Sequence, residues 1–174
     1  GLPPATAQVT RQTLVDTQNE SGDLGYGDSI AINGKLAGTV TGLAATGSTV
    51  DRGKALYHVD NSPVVLLYGT LPAYRALSPG VQGDDVRQFE ENLSALGYTG
   101  FTVDSKYSES TATAVRKWQG DLGLTKTGTV EPGRIVYAVS HLRVDSHKVA
   151  VGDEMRPGSA LLTYTSLARV VTVE

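Results

Sequence analysis

The stretch Gly47-Ser48-Thr49-Val50-Asp51-Arg52-Gly53-Lys54-Ala55-Leu56-Tyr57 constrains this chain most, because its skeleton returns near the C-terminus. The second copy reads Gly152-Asp153-Glu154-Met155-Arg156-Pro157-Gly158-Ser159-Ala160-Leu161-Leu162. Gly, a bulky apolar residue, Gly, Ala and Leu fall at the same offsets in both. Each copy predicts a Gly-led turn, one inward apolar residue, a second Gly turn and an apolar strand. Internal self-similarity decides architecture before local propensity does. Two short copies so far apart are too few for a solenoid. They predict a two-fold β-sandwich whose halves are separated by an insertion.

The rest of the chain fits that division. From Gly25 to Val65 short β-type segments alternate with Gly, and Ile30 and Ile32 alternate with small or polar neighbours. Val64-Val65-Leu66-Leu67-Tyr68 is a continuous apolar run of strand length, which predicts burial on both faces. Gly69 to Pro79 reads as a linker. The pattern then changes from period two to a helical period, with Val86, Phe89, Leu93 and Leu96 on one stripe and Gly97 after it. Asp84 or Asp85 can accept hydrogen bonds in the first turn and suits its positive dipole end. A second helix is predicted after Ser108 or Ser110, with Thr111, Val115, Trp118 and Leu122 on one face and Gly123 as its stop. Pro132 suits the first position of a short third helix. Ile135-Val136-Tyr137-Ala138-Val139 reads as β again. Two helices cannot bury a core alone, so they are expected to pack together and against the loop between them.

Composition narrows the function classes. A net charge of −3 and a pI near 5.6 leave no basic footprint for nucleic acid. No apolar run is long enough to cross a bilayer, so an anchoring segment is expected outside these residues. With no Cys there is no disulfide, thiolate ligand or thiol nucleophile. The pairs Asp84/Asp85 and Glu90/Glu91 diverge by about 100° on a helix and cannot flank one bond. No Ser-x-x-Lys or His-rich motif of known spacing is present. The chain reads as a non-enzyme with no cofactor. His141, Asp145 and His147 form a local cluster that could converge if the stretch is a strand; exposed strand polars are the default reading, and a metal-dependent wall hydrolase survives only if they bind zinc. Trp118 and Tyr107 read as core rather than a sugar-stacking platform. Lys54 and Lys148 read as solvated surface lysines, and Gly22, Gly25 and Gly27 around Tyr26 as turn glycines.

Residues 77–97, from Leu77-Ser78-Pro79-Gly80 through Gly83-Asp84-Asp85-Val86 to Leu96-Gly97, resemble the first helix of the type 1 peptidoglycan-binding domain, with Tyr98 following. Val103-Asp104, Thr111, Ala114-Val115, Trp118-Gln119, Leu122-Gly123-Leu124 and Thr127-Gly128 continue that pattern in order. The resemblance implies a small three-helix bundle that binds cell-wall peptidoglycan. Asp104-Ser105-Lys106-Tyr107-Ser108 departs from the family by losing both loop glycines, and Glu90 stands where Gln is common. The candidate binding residues are the polar ones flanking the helix ends, Gln82, Asp84, Asp104, Ser105, Arg116 and Gln119, with a solvated face as the plain alternative.

The two β halves resemble the split lipoyl/biotinyl-like domain of HlyD-like membrane-fusion adaptors, with Gly38-Thr39-Val40-Thr41 and the first Gly turn as one half and residues 149–165 as the other. The carrier lysine such a fold can hold at its connecting hairpin is absent, since the insertion takes that place. The expected fold is therefore α+β: a split lipoyl-like β-sandwich with an inserted small three-helix bundle. The expected divisions are 1–24 (an extension, with a strand from Val9 to Val15), 25–72 (first half), 73–134 (inserted bundle), 135–166 (second half) and 167–174 (start of an adaptor barrel). The resemblance implies a non-catalytic adaptor of an efflux or ABC-type exporter, extracytoplasmic, associated with the cell envelope and membrane-anchored. Its partners would be peptidoglycan, an ABC-type permease or other exporter subunits, and other copies of itself. The alternative is a cell-wall binding module that positions a separate enzyme.

Overall fold

The computed structural model describes residues 28–166. The strand expected over Val9–Val15, the turn around Tyr26 and the barrel entry at 167–174 lie outside them. In chain order the elements are β1 (Ile30–Asn33), β2 (Gly38–Leu43), β3 (Thr49–Val50), β4 (Ala55–Val59), β5 (Ser62–Tyr68), α1 (Asp84–Ala95), α2 (Glu109–Asp121), β6 (Ile135–Ala138), β7 (Leu142–His147), β8 (Glu154–Met155) and β9 (Ala160–Ser166). They form a four-stranded sheet, β1-β9-β7-β3, and a five-stranded sheet, β6-β5-β4-β2-β8. Pairing is antiparallel except between β5 and β6.

The repeat explains this topology. Each copy sends its short middle strand across to the other copy's sheet: β3 pairs β7, and β8 pairs β2. The backbone hydrogen bonds match position for position. Gly47 N–H donates to Val144 O (2.7 Å), and Gly152 N–H donates to Val40 O (2.7 Å). In return Val144 N–H reaches Ser48 O (2.9 Å) and Val40 N–H reaches Asp153 O (2.8 Å). Gly47 and Gly152 take φ of +85° and +100°, a region that costs a residue with Cβ. The inward apolar residue of each copy, Val50 or Met155, is buried. The sheets enclose a core that includes Val40, Leu56, Leu66, Val144 and Leu162.

The structure corrects the expected α+β class with a three-helix bundle. Among the described residues the chain is mainly β, two sheets with two α-helices. In place of the third helix, Pro132–Arg134 makes one 3-10 turn and the chain enters β6 at once. Pro132 fits the start of either helix type, but Ile135 and Val136 are β-branched and pair in parallel with Val65 and Leu66. Nor do the helices form a self-contained bundle. The β5 run is buried on both faces: Val64 and Leu66 point into the inter-sheet core, while Val65 and Leu67 join Phe89, Val115 and Trp118 on the other side. The helices thus cover the outer face of the five-stranded sheet, which supplies the surface that two helices alone lack.

Candidate functional site

The helical unit is built on α1 and α2 and closed by two short antiparallel bridges, Leu77 with Val130 and Gln82 with Lys106. Val86, Phe89 and Leu93 on α1 meet Ala114, Val115 and Trp118 on α2. Phe89 and Trp118 make an edge contact with ring centroids 5.6 Å apart. Ser108 caps α2: its hydroxyl accepts from Thr111 N–H, and Thr111 Oγ1 accepts from Ser108 N–H. At the start of α1 the cap position is Gly83, without a side-chain cap. Asp85 accepts there from Val86 N–H in the first turn (3.1 Å), as expected, and from Arg75 through Nε at 2.8 Å and Nη2 at 2.9 Å. That guanidinium holds the Asp85 carboxyl below the usual aspartate range.

Three side chains on α1 organise the unit. Glu90, fully buried, accepts from Asp104 N–H (2.9 Å) and Thr111 Oγ1 (2.7 Å), so one carboxylate joins α1, the interhelix loop and the start of α2. Burial pushes its pKa up, and the two hydrogen bonds offset that in part. Asn92, also buried, accepts from Tyr68 N–H and donates to Tyr68 O, both at 2.8 Å. Gln88 does the same one turn earlier, accepting from Leu71 N–H (3.2 Å) and donating to Leu71 O (2.8 Å). Two amides one helical turn apart therefore pair with the chain that leaves β5, much as a neighbouring strand would. A folded-state pKa raised for Glu90 gives stability that is present below the ordinary glutamate pKa and lost as pH rises through the raised value. Glu90→Gln should therefore remove that fall across the weakly acidic range, read as melting temperature against pH beside the native chain.

The candidate residues divide into two groups. The Gln82–Lys106 bridge brings Gln82 beside the loop carrying Asp104 and Ser105, next to Asp84 in the first turn of α1. Ser105 O accepts from Gly83 N–H (2.9 Å), and Asp104 Oδ1 accepts from Lys106 N–H (2.9 Å). Asp104 also lines an open groove with Gly100, Phe101, Thr102, Ser108 and Ser110. Arg116 and Gln119 belong to α2 and the turn that follows it. Arg116 is exposed. Gln119 is buried and its amide is committed: Nε2 donates to Thr127 Oγ1 (3.1 Å) and Thr129 O (2.9 Å), and Oε1 accepts from Gly128 N–H (3.0 Å). Tyr107 and Trp118 are core residues, and the Tyr107 hydroxyl donates to Gly128 O (2.6 Å).

Glu90 and Asn92 were not singled out as candidates, although both lie within the span of the apolar stripe of α1. A polar residue at such a spacing was the available signal. His141, Asp145 and His147 do not converge. A register shift opposite Thr163 and Tyr164 breaks the alternation between Val144 and Ser146. Asp145 accepts from Ser29 Oγ (2.7 Å), while a His147 ring nitrogen lies 2.7 Å from Ala44 O. Among the described residues no three His, Asp or Glu side chains gather to hold a metal ion. No helix among them is long and apolar enough to cross a membrane.

Comparison with known proteins finds a likeness over the helical unit. Residues 82–133 match the family model named "Putative peptidoglycan binding domain". The chain is also similar to a curated protein of Arabidopsis thaliana, the chloroplastic protein disulfide isomerase pTAC5, with 30% identity over 101 residues. That alignment covers 55% of this chain and 26% of the relative, so the chain spans about a quarter of that protein's length. Thiol–disulfide exchange requires a thiolate, and these 174 residues hold no cysteine. No solved structure matches. The matched residues coincide with the two-helix unit, so the part of this chain that is similar to peptidoglycan-binding domains is the part carried on the outer face of the five-stranded sheet.

Proposed function

We propose that this chain is a non-catalytic, extracytoplasmic module of the cell envelope that holds its helical unit against peptidoglycan and so positions whatever it is joined to. The family match over residues 82–133 carries the reading. The contact surface is the groove of Gly100, Phe101, Thr102, Asp104, Ser108 and Ser110, flanked by Gln82, Asp84 and Ser105. It combines hydroxyls, a carboxylate and one aromatic ring, a mixture suited to amide and sugar groups. Co-sedimentation with purified insoluble peptidoglycan tests it. Saturable binding that weakens in Asp104→Ala is expected. A chain that stays in the supernatant at every load overturns the reading.

A second reading, an exporter adaptor that works with an ABC-type permease and anchors through a segment outside these residues, is favoured by one observation. The helical unit leaves from β5 and returns on β6, its parallel neighbour, with Gly69 N–H on Ala138 O (2.9 Å). Two adjacent attachments orient a unit more firmly than one linker. Co-purification with a permease from detergent tests that role.

A further inference from the structure

Two cations on the helical unit are each laid across a glycine. A Cβ on Gly128 would lie 3.1 Å from both Nε and Nη2 of Arg116 and 3.2 Å from Cζ, so the guanidinium rests face-on against the turn. A Cβ on Gly120 would lie 2.6 Å from Cε of Lys126. The two seats are reciprocal: Arg116 comes from α2 to the 127–129 turn, and Lys126 comes from just before that turn back to α2. Arg116 and Gly120 are four residues apart on α2, hence neighbours on one stripe at about 6 Å. The turn itself is fixed by Gln119 and by the Tyr107 hydroxyl.

Among the described residues neither cation has an acidic partner. The ion pairs among the described residues join Arg75 to Asp85 and Arg143 to Asp145, and Asp121 accepts from the Tyr98 hydroxyl. A guanidinium laid face-on against a glycine leaves its in-plane N–H fork off that glycine, and such a fork can take an oxyanion through two parallel hydrogen bonds.

We infer that Arg116 and Lys126 form an oxyanion-binding face, and that its ligand is a carboxylate of the peptidoglycan stem peptide. This rests on the reading of the helical unit as a peptidoglycan binder and adds a second contact, on α2, to the groove at Asp104. The test is co-sedimentation of the full chain with three preparations: native wall, wall stripped of phosphodiester-linked polymers by hydrofluoric acid, and stripped wall whose carboxylates have been amidated. Arg116→Gln/Lys126→Gln should bind native and stripped wall at least about 10-fold more weakly than the unchanged chain, as expected for a lost charge-assisted hydrogen bond. Amidation should weaken the unchanged chain as much and the double variant no further. An unaltered melting temperature shows that the variant is folded. If the double variant binds as the unchanged chain does, the oxyanion face is wrong while the parent reading stands. If stripping alone removes the difference, the ligand is a wall-polymer phosphate and the carboxylate assignment is wrong. If the unchanged chain binds none of the three, the parent reading fails and takes this face with it.

Discussion

Asn92→Ala is expected to lower stability by about 3 kcal/mol, seen as an earlier midpoint in urea unfolding. The figure follows from what the amide does. It satisfies both backbone groups of Tyr68, and removing it strands a donor and an acceptor beneath α1, each costing on the order of 1–3 kcal/mol. Asn92→Leu restores the volume but not the hydrogen bonds, so it should be nearly as damaging. A loss below about 1 kcal/mol in both variants would show that water satisfies Tyr68, and that α1 is not bolted to the sheet in this way.

Leu67→Ala and Leu66→Ala should each cost about 2–5 kcal/mol, with both variants still unfolding in a single transition. The two side chains are fully buried neighbours on β5, yet they serve different cores. Leu67 packs among the helices, and Leu66 lies between the sheets. One strand cannot leave one core and stay in the other, so damage to either must be felt by the whole. Fluorescence of Trp118 reports the helical core, and far-ultraviolet circular dichroism reports the strands as well. The two probes should give coincident curves. If Leu67→Ala instead separates them, the helical unit folds on its own and β5 is only its tether.

The repeat could be read as structure because it is local and doubled. Two Gly turns around Val50 and around Met155 require the same path twice, and the matched bonds from Gly47 and Gly152 are its result. The Val64–Tyr68 run announced burial on both faces, but no local pattern told what would cover the second face. That depends on where α1 and α2 settle. The third helix failed for the same reason. Pro132 is locally compatible with it, and the parallel pairing of Ile135 with Val65, seventy residues away in sequence, decides against it. At the candidate site, Gln119 shows what was legible and missed. It stands four residues after Val115, on the inward side of α2, where a polar residue needs internal partners. The register shift in β7 that separates Asp145 from His147 leaves no such mark in the sequence.

The most direct measurement of the central claim is a two-dimensional NMR titration of the isotope-labelled full chain with a soluble muropeptide. Shift changes should concentrate on residues 100–110 and 116–128, leaving the strands of the four-stranded sheet undisturbed. No change at saturating muropeptide, or changes centred on the sheets rather than on α2 and its flanking loops, would contradict the claim that the helical unit is the wall-binding part of this protein.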